Sequence, residues 1–385
     1  MTPHRSLYGS RALAVLAMAS VIPAQSQDAG SSRTLGFVIE ALTPAFYQAP
    51  EGSECPDGLQ LNELDMFAKA FPSKEAQADF IKKNGFYYFR GPHRENAWLY
   101  PERVTEPVPY KEVKSKVGLG RNLDGDVDGQ GTATTCPHEN FVDTQGKRGI
   151  DNQLYRVLGC HAGWKPGGPL ISFQKDYIIT DSKFFRILLE VSDVDDTVND
   201  PDVLVSVYRG HDDLVRDDTG RSVPWQTQTV DARHPEVITR HRGYIKEGVL
   251  HTKDGLIRTP MIRVTTPTEF RIDGHFEIKL AGDRAEGMLV GYHNIETFWK
   301  DYRHSGMGGA SVVVQTGPNT YKALKHYADG DRDPVTGQCR AISAAYQVEA
   351  TAVFLRHESD ATRRGALNGV QASSAGSLRG GEVGR

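Results

Sequence analysis

The chain has 385 residues, of which 38 % are hydrophobic and 24 % are charged, and its formal net charge is −4. This composition is that of an ordinary globular protein. The small negative charge and the lack of a basic stripe in the sequence argue against nucleic-acid binding. The 39 glycines favour a turn-rich β protein over a helical one.

Residues 1–26 have the three parts of a secretory signal. Arg5 and Arg11 supply positive charge, residues 12–22 are mainly apolar, and residues 23–26 end in small residues that suit a cleavage site. The apolar run has eleven residues, whereas a transmembrane helix needs about 20. The sequence therefore predicts a cleaved signal peptide, no transmembrane segment, and a secreted or periplasmic protein.

The mature chain is predicted to form a single β-rich domain over residues 27–355, with two intimate lobes at about 35–170 and 171–355 as the alternative. Residues 356–385 are rich in Gly, Ser and Arg. A segment of that composition buries too little apolar surface to offset the entropy of ordering, so a disordered tail is predicted.

The first half of the chain contains two helical patterns. Apolar residues recur at helical spacing over 61–71 and Pro72 ends the run, while Ser73 is placed to cap a second helix. The predicted elements in chain order are a strand at 35–39, these two helices, strands at 86–89 and 98–100, and mainly loop over 102–165.

The second half carries most of the strand signals. Apolar residues alternate over 269–280 with the period of two that is typical of a half-buried strand. Helices are predicted from Ile295 and from Asn319. Further strands are predicted at 184–191, 203–208, 249–250, 257–264, 288–292, 312–314 and 350–355. The fold class is therefore a β-rich α+β protein, built as an antiparallel β-sandwich or distorted barrel with a few helical insertions.

Four cysteines remain after the signal, and an oxidising compartment favours their pairing. Cys136 and Cys160 enclose the shortest loop, a closure worth on the order of 3 kcal/mol by chain entropy. The sequence therefore predicts a disulfide between these two cysteines. Cys55 and Cys339 would then form the second bridge.

An acidic loop is the most specific local motif. Asp124, Asp126 and Asp128 alternate, and Gly129 follows where a calcium loop needs its sharp turn. The twelfth position holds Thr135 rather than the bidentate glutamate, so the loop is not an EF-hand. We expect it to bind Ca²⁺, with a solvated acidic turn as the alternative.

Other acidic residues are candidates for the same chemistry. Asp143 and Asp151 could complete the calcium shell of the acidic loop. Asp329, Asp331 and Asp333 form a second alternating run, for which a capped helix end is the competing interpretation.

His138 and His161 each lie next to a cysteine. The predicted bridge between Cys136 and Cys160 would bring the two histidines together, where they could bind copper or zinc or act as acid and base. The alternative is a pair of surface histidines beside a disulfide.

No familiar catalytic motif is present. The favoured hypothesis is an exported, calcium-stabilised β domain that binds a glycan or another envelope component, since aromatic residues over 86–100 could offer a stacking platform. The alternatives are a secreted, glycan-active hydrolase or lyase that uses carboxylates, and a periplasmic metal or redox protein centred on His138 and His161. Residues 122–161 are where a site is expected first.

Overall fold

The structure is a computed structural model. By its contacts the chain divides into residues 1–31 and a unit that begins at Ser32, and every element below belongs to the second unit. The predicted signal, the predicted tail beyond His357 and the strand predicted at 312–314 lie outside the described residues. The structure describes residues 32–85, 89–168, 171, 186–210, 212–233, 235–263, 266–304 and 317–357.

Strands dominate the described residues. They are β1 (Arg33–Pro44), β2 (Phe141–Val142), β3 (Arg148–Ile150), β4 (Arg186–Val194), β5 (Asp200–Gly210), β6 (Thr227–Thr229), β7 (Thr239–Lys246), β8 (Val249–Thr252), β9 (Gly255–Arg263), β10 (Thr266–Ala281), β11 (Arg284–Asn294), β12 (Gly330–Arg332) and β13 (Cys339–Arg356).

The helices are short. Asn62 caps the first helix and Ser73 caps the second, because their side chains accept amide hydrogens of the first turn. The α-helices are α1 (Glu63–Ala70), α2 (Lys74–Asn84), α3 (Gln153–Leu158), α4 (Ile295–His304) and α5 (Gly317–His326); single 3-10 turns lie at Pro50–Gly52, Pro101–Arg103, Ala162–Trp164 and Pro235–Val237.

Eight strands form a closed antiparallel barrel in the order β1-β4-β5-β7-β8-β10-β11-β13, and pairing of β13 with β1 closes it. The remaining strands of the sheet extend it: β9 pairs with the first half of β10, β12 with the start of β13, and β6 runs parallel to the end of β13. Closure removes the free edges that an open sheet would expose.

The inside of the barrel is packed with side chains. Successive strand residues alternate between the two faces of the sheet, so every second residue faces inward. On β13 the buried core residues of this alternation are Ile342, Ala344, Tyr346, Val348, Ala350 and Ala352.

The helices α3, α4 and α5 lie at one end of the barrel. α4 follows β11 directly, and Asn294 at the end of β11 pairs with Ala341 near the start of β13. Leu158, Trp299 and Leu324 from the three helices belong to the same buried core as the barrel interior. The helices therefore extend that core beyond the rim of the barrel.

A long irregular segment, residues 117–151, crosses the outer face of the barrel. Leu119 and Leu123 pack against Val290 of β11 and Ala345 of β13. Arg121 forms an ion pair with Glu277, which faces outward from β10. This segment holds the acidic loop and His138 against the barrel wall.

The β-rich class and the barrel architecture are confirmed, whereas the β-sandwich alternative is not. Residues 98–100 form a turn instead of the predicted strand, and α3 lies in the segment predicted to be loop. Across the described residues, no helix has the length and apolarity needed to cross a membrane. The two disulfides fit export to an oxidising compartment.

Candidate functional site

The carboxylates of the acidic loop hold the loop itself. Asp124 accepts a hydrogen bond from the amide of Asp126 (2.8 Å) and another from the hydroxyl of Thr135 (2.8 Å). Asp126 accepts the amide hydrogens of three following residues at 2.7–3.0 Å. These are turns of the Asx type. A cation at this loop would bind the lone pairs of the Asp124 and Asp126 carboxylates that do not accept these hydrogen bonds.

The side chains of the other predicted calcium ligands take no part in these turns. Asp128 forms an exposed ion pair with Arg148 (2.8 Å). Asp143 accepts two amide hydrogens in the turn between β2 and β3, and Asp151 is fully buried. Within the described ranges, no three His, Cys, Asp or Glu side chains form a group that could hold a metal. Calcium at this loop stays a prediction.

The second acidic run does not converge either. Asp331 and Asp333 both pair with Arg340 of β13, at 3.0 and 3.1 Å. Asp333 also accepts the amide hydrogens of the next turn. Asp329, by contrast, is fully buried, so the run divides between a surface ion-pair network and the protein interior.

Asp329 joins a buried cluster with His138 and Asp151. The His138 Nε2 atom lies 2.9 Å from Asp151 Oδ1 and 4.0 Å from Asp329 Oδ2, and the imidazole is 5 % exposed. Asp151 also accepts the amide hydrogen of Leu123 (2.6 Å), and Asp329 that of Ser343 (2.7 Å). Asp329, which is distant in the sequence, thus meets His138 and Asp151 of the 117–151 segment.

The hydrogen bonds of His138 define its protonation state. Its Nδ1 atom lies 2.8 Å from the carbonyl oxygen of Cys136, which only accepts. With Asp151 ionised, Nε2 also faces an acceptor, so both ring nitrogens must donate and His138 is an imidazolium. Burial by itself lowers the pKa of His138, but the bonds to Asp151 and Cys136 and the charge of Asp329 raise it to about 9. His138 is therefore a buried cation at neutral pH.

The two aspartates of the cluster are also perturbed. Burial raises the pKa of Asp329 to about 7, against the opposing effects of Ser343 and His138. Burial likewise raises the pKa of Asp151. Burial, together with the charges of Asp329 and Asp151, raises the pKa of Tyr292 of β11 well above its usual value. Neither Tyr292 Oη nor Asp329 Oδ2 has a hydrogen-bond partner among the described residues.

His161 belongs to a different environment. It is fully buried, and its Nε2 atom lies 2.7 Å from the hydroxyl of Tyr110. The bridge that was predicted to bring His138 and His161 together is not formed. Among the residues that the structure describes, the contacts given for His138 and His161 do not bring the two histidines together.

The predicted disulfide pairing is wrong. Cys55 pairs with Cys160, and Cys136 pairs with Cys339. Loop length favoured the pairing of 136 with 160, but the fold decides which cysteines meet. The amide of Cys136 bonds to the carbonyl of Asp329 at the β12–β13 hairpin (2.8 Å), so Cys136 lies against Cys339.

A cleft of about 440 Å³ opens beside the buried cluster, within the size range of small-molecule sites. It lies between the stretch 112–116, the residues that follow Cys136, α3 and the end of α5. The residues that line it are Glu112, Lys114, Lys116, Pro137, His138, Glu139, Arg156, His326, Tyr327 and Ala328.

Positive charge is in slight excess in this cleft. Arg156 of α3 is buried and bonds to Gln153 and to two carbonyl oxygens, all at 3.3 Å. Its nearest carboxylate, Glu139, is 3.8 Å away and exposed. Lys116 is exposed and forms no ion pair with the described residues. His138 is balanced by Asp151, Lys114 by Glu112 and Arg156 by the more distant Glu139. Lys116 therefore leaves the cleft with a positive excess of one charge.

Comparison with protein-family models, curated proteins and solved structures gives no match for this chain. The class of protein is therefore set by the fold and the site alone: a disulfide-bonded eight-stranded barrel with a cationic cleft on its outer side. The segment 122–161, where a site was expected first, contributes His138, Glu139 and Arg156 to the cleft. No sequence motif marks Arg156 or Lys116.

Proposed function

We propose that the protein is an exported binding protein for an acidic glycan of the cell envelope, and that the ligand occupies the cationic cleft. Carboxylate groups on the sugar rings would face Arg156 and Lys116. Arginine suits this role because its planar guanidinium bonds carboxylates in a bidentate manner.

One observation carries the proposal, namely the buried charge of Arg156. A buried guanidinium is costly unless a negative group compensates it, and the nearest carboxylate in the described part of the chain is 3.8 Å away on an exposed glutamate. The guanidinium is held in place by the Phe141 ring, 4.4 Å from its centroid, and by three long hydrogen bonds. An anionic ligand would complete this environment.

Isothermal titration with hexuronate oligosaccharides tests the proposal against the matching neutral hexose oligosaccharides. We expect the hexuronates to bind at least about tenfold more tightly, a difference of about 1.4 kcal/mol. Lys116→Gln is expected to weaken hexuronate binding by about five- to tenfold at low salt and by less at high salt, because a rim charge acts through a screened interaction.

Lys82→Gln is the matched control, since Lys82 is an exposed lysine on α2 that does not line the cleft. This variant should bind like the unmodified protein. Equal affinity for charged and neutral oligosaccharides, or no binding to any hexuronate, would contradict the proposal.

We further propose that Ca²⁺ stabilises the domain at the acidic loop. The support is the alternation of Asp124, Asp126 and Asp128, with Gly129 at a positive φ of 70° where the chain turns sharply. Millimolar Ca²⁺ added to chelator-treated protein should raise the melting temperature, because an ion that binds the folded state alone stabilises it. Asp128→Asn should abolish the rise, since among the described residues the Asp128 carboxylate is otherwise bonded only to Arg148. An unchanged melting temperature in the unmodified protein would remove calcium from the proposal.

A further inference from the structure

Two exposed aromatic side chains meet where the 212–226 loop adjoins the end of β13. Trp225 and Phe354 are 49 % and 58 % exposed, and their ring centroids lie 5.7 Å apart. The amide of Trp225 donates to the carbonyl oxygen of Ala352 (2.7 Å), and the amide of Phe354 donates to that of Gln226 (2.9 Å). The main chain therefore holds Trp225 and Phe354 side by side at the surface, and we call these two residues the aromatic patch.

The backbone of Trp225 is in the left-handed region, with a φ of 64°. This region is unfavourable for a residue with a large side chain. The side-chain amide of Gln226 fixes the conformation, because it bonds to the main chain of Val215 and Val223 at 2.9 and 2.8 Å. Both valines are exposed as well. The loop thus combines backbone strain with exposed apolar surface; neither favours folding, and both are typical of interaction sites.

A cavity of about 240 Å³ lies beside the loop, on the outer wall of the barrel. Arg221 of the loop lines it together with Glu286 of β11 and Glu349 of β13. The two glutamates are directly opposite each other in the β11–β13 register, where two like charges repel. Ala350 also lines the cavity, and it precedes Phe354 on β13 by four residues. The cavity and the aromatic patch are therefore about 13 Å apart along the strand.

The other two charged residues of the cavity are paired with each other. Arg284 of β11 donates to Glu40 of β1 (3.0 Å), to the carbonyl oxygen of Ser222 (3.0 Å) and to the hydroxyl of Thr351. Glu40 also accepts the amide hydrogen of Ser222 (3.1 Å). Arg284 and Glu40 therefore join the loop to the barrel wall, and their charges cancel.

The surroundings of the aromatic patch are acidic. The 212–226 loop carries four aspartates against two arginines, and Glu286 and Glu349 add two carboxylates. Lys279 is opposite Glu286 in the β10–β11 register and Arg356 ends β13, but with both of these cations counted the carboxylates remain in excess. A ligand that complements this surface carries positive charge for the carboxylates and an apolar group for the aromatic patch.

We infer that the aromatic patch and the acidic cavity form a docking surface for a basic peptide segment of another protein. A lysine or arginine side chain of that segment lies in the cavity, where its charge relieves the repulsion between Glu286 and Glu349. An extended peptide spans about 13 Å in four residues, so an apolar side chain four residues further along covers Trp225 and Phe354. Tryptophan is among the residue types that contribute most to such interfaces.

This surface is separate from the cationic cleft. The cavity and the cleft have no lining residue in common, and the excess of carboxylates repels the acidic glycan proposed for the cleft. The inference therefore goes beyond the proposed function and does not depend on it.

Isothermal titration with three acetylated and amidated heptapeptides tests the docking surface. The first has the sequence Lys-Ser-Lys-Ser-Leu-Ser-Leu, the second has glutamate in place of both lysines, and the third has serine in place of both leucines. We expect the first to bind at least about tenfold more tightly than either of the others at low salt, and to bind more weakly at high salt. Glu286→Gln should weaken its binding by about three- to tenfold. Glu75→Gln is the matched control, because Glu75 is an exposed glutamate on α2 that does not line the cavity.

Trp225→Gly separates a docking role from a structural one. Glycine adopts a positive φ without strain, and this gain offsets the lost ring contact with Phe354, so the melting temperature should stay close to that of the unmodified protein. Peptide affinity should nevertheless fall by about tenfold or more. Phe354→Ser, which leaves the loop unaltered, should lower the affinity in the same direction. Hexuronate binding should be unchanged in both variants, which separates this test from that of the cleft.

Three results would overturn the inference. The first is no heat of binding for the lysine peptide up to about 1 mM. The second is equal affinity for the lysine peptide and its glutamate counterpart. The third is a folded Trp225→Gly or Phe354→Ser protein that binds the lysine peptide as tightly as the unmodified protein does.

Discussion

Replacing His138 with glutamine is expected to lower the free energy of unfolding by about 3–5 kcal/mol at pH 6, the effect of removing one partner from a buried ion pair. The variant leaves Asp151 and Asp329, both fully buried, without the cation between them. Glutamine also cannot donate to Asp151 and to the carbonyl of Cys136 at once with the geometry of the imidazolium. Urea denaturation of both proteins measures the difference.

The loss should depend on pH with a defined sign. The pKa of His138 is raised from an ordinary value near 6.5 to about 9, so the folded state binds its proton more tightly than the unfolded state does. The stabilisation is complete below pH 6.5 and is lost as the pH rises through 9. A rise of this size corresponds to on the order of 3 kcal/mol. The gap between the unmodified protein and His138→Gln should therefore narrow between pH 6.5 and 9.

Asp329→Asn is the matched control in the same cluster. His138 keeps its closer partner, Asp151, and an asparagine oxygen can still accept the amide hydrogen of Ser343. We expect this variant to lose about 1 kcal/mol at pH 5. Burial raises the pKa of Asp329 to about 7, so ionisation of Asp329 lowers the free energy of unfolding of the unmodified protein as the pH rises through 7. At pH 8 the free energy of unfolding of Asp329→Asn should therefore lie closer to that of the unmodified protein, or above it. A constant gap for His138→Gln from pH 6 to 9 would contradict the imidazolium assignment.

The sequence predicted the strands whose inward residues are large. β10 alternates Ile272, Phe276 and Ile278 with polar residues, and all three are buried, so the pattern was visible. The first half of β13 was missed because a filled barrel leaves room there for small side chains such as Ala344, and alanine carries no strand signal. α3 has only six residues, too few for a helical period to be recognised.

The candidate site could be located in the sequence but not assembled from it. Residues 136–139 and 149–153 pointed to His138 and Asp151, which do meet. Asp329 comes to them only through the β12–β13 hairpin and the wall of the barrel, and such long-range contacts leave no local pattern.

Loss of the bridge between Cys136 and Cys339 is the second large effect. The two cysteines are 203 residues apart, and closing a loop of that length is worth on the order of 5 kcal/mol by chain entropy. The bridge also fixes the residue whose carbonyl oxygen binds His138. The double variant Cys136→Ser/Cys339→Ser should therefore unfold at a much lower urea concentration than the unmodified protein. Reduction of the unmodified protein with a thiol should lower its urea midpoint by at least as much.

A second double variant decides between the two possible pairings. Cys136→Ser/Cys160→Ser removes one cysteine from each of the observed bridges, so it should lose both and be the less stable of the two variants. If loop length alone had selected the pairing, this variant would lose a single short bridge worth about 3 kcal/mol and would be the more stable one. The order of the two urea midpoints therefore tests the connectivity directly. One pairing makes Cys136→Ser/Cys160→Ser the less stable variant and the other pairing makes it the more stable one, whatever the contribution of a single bridge to stability.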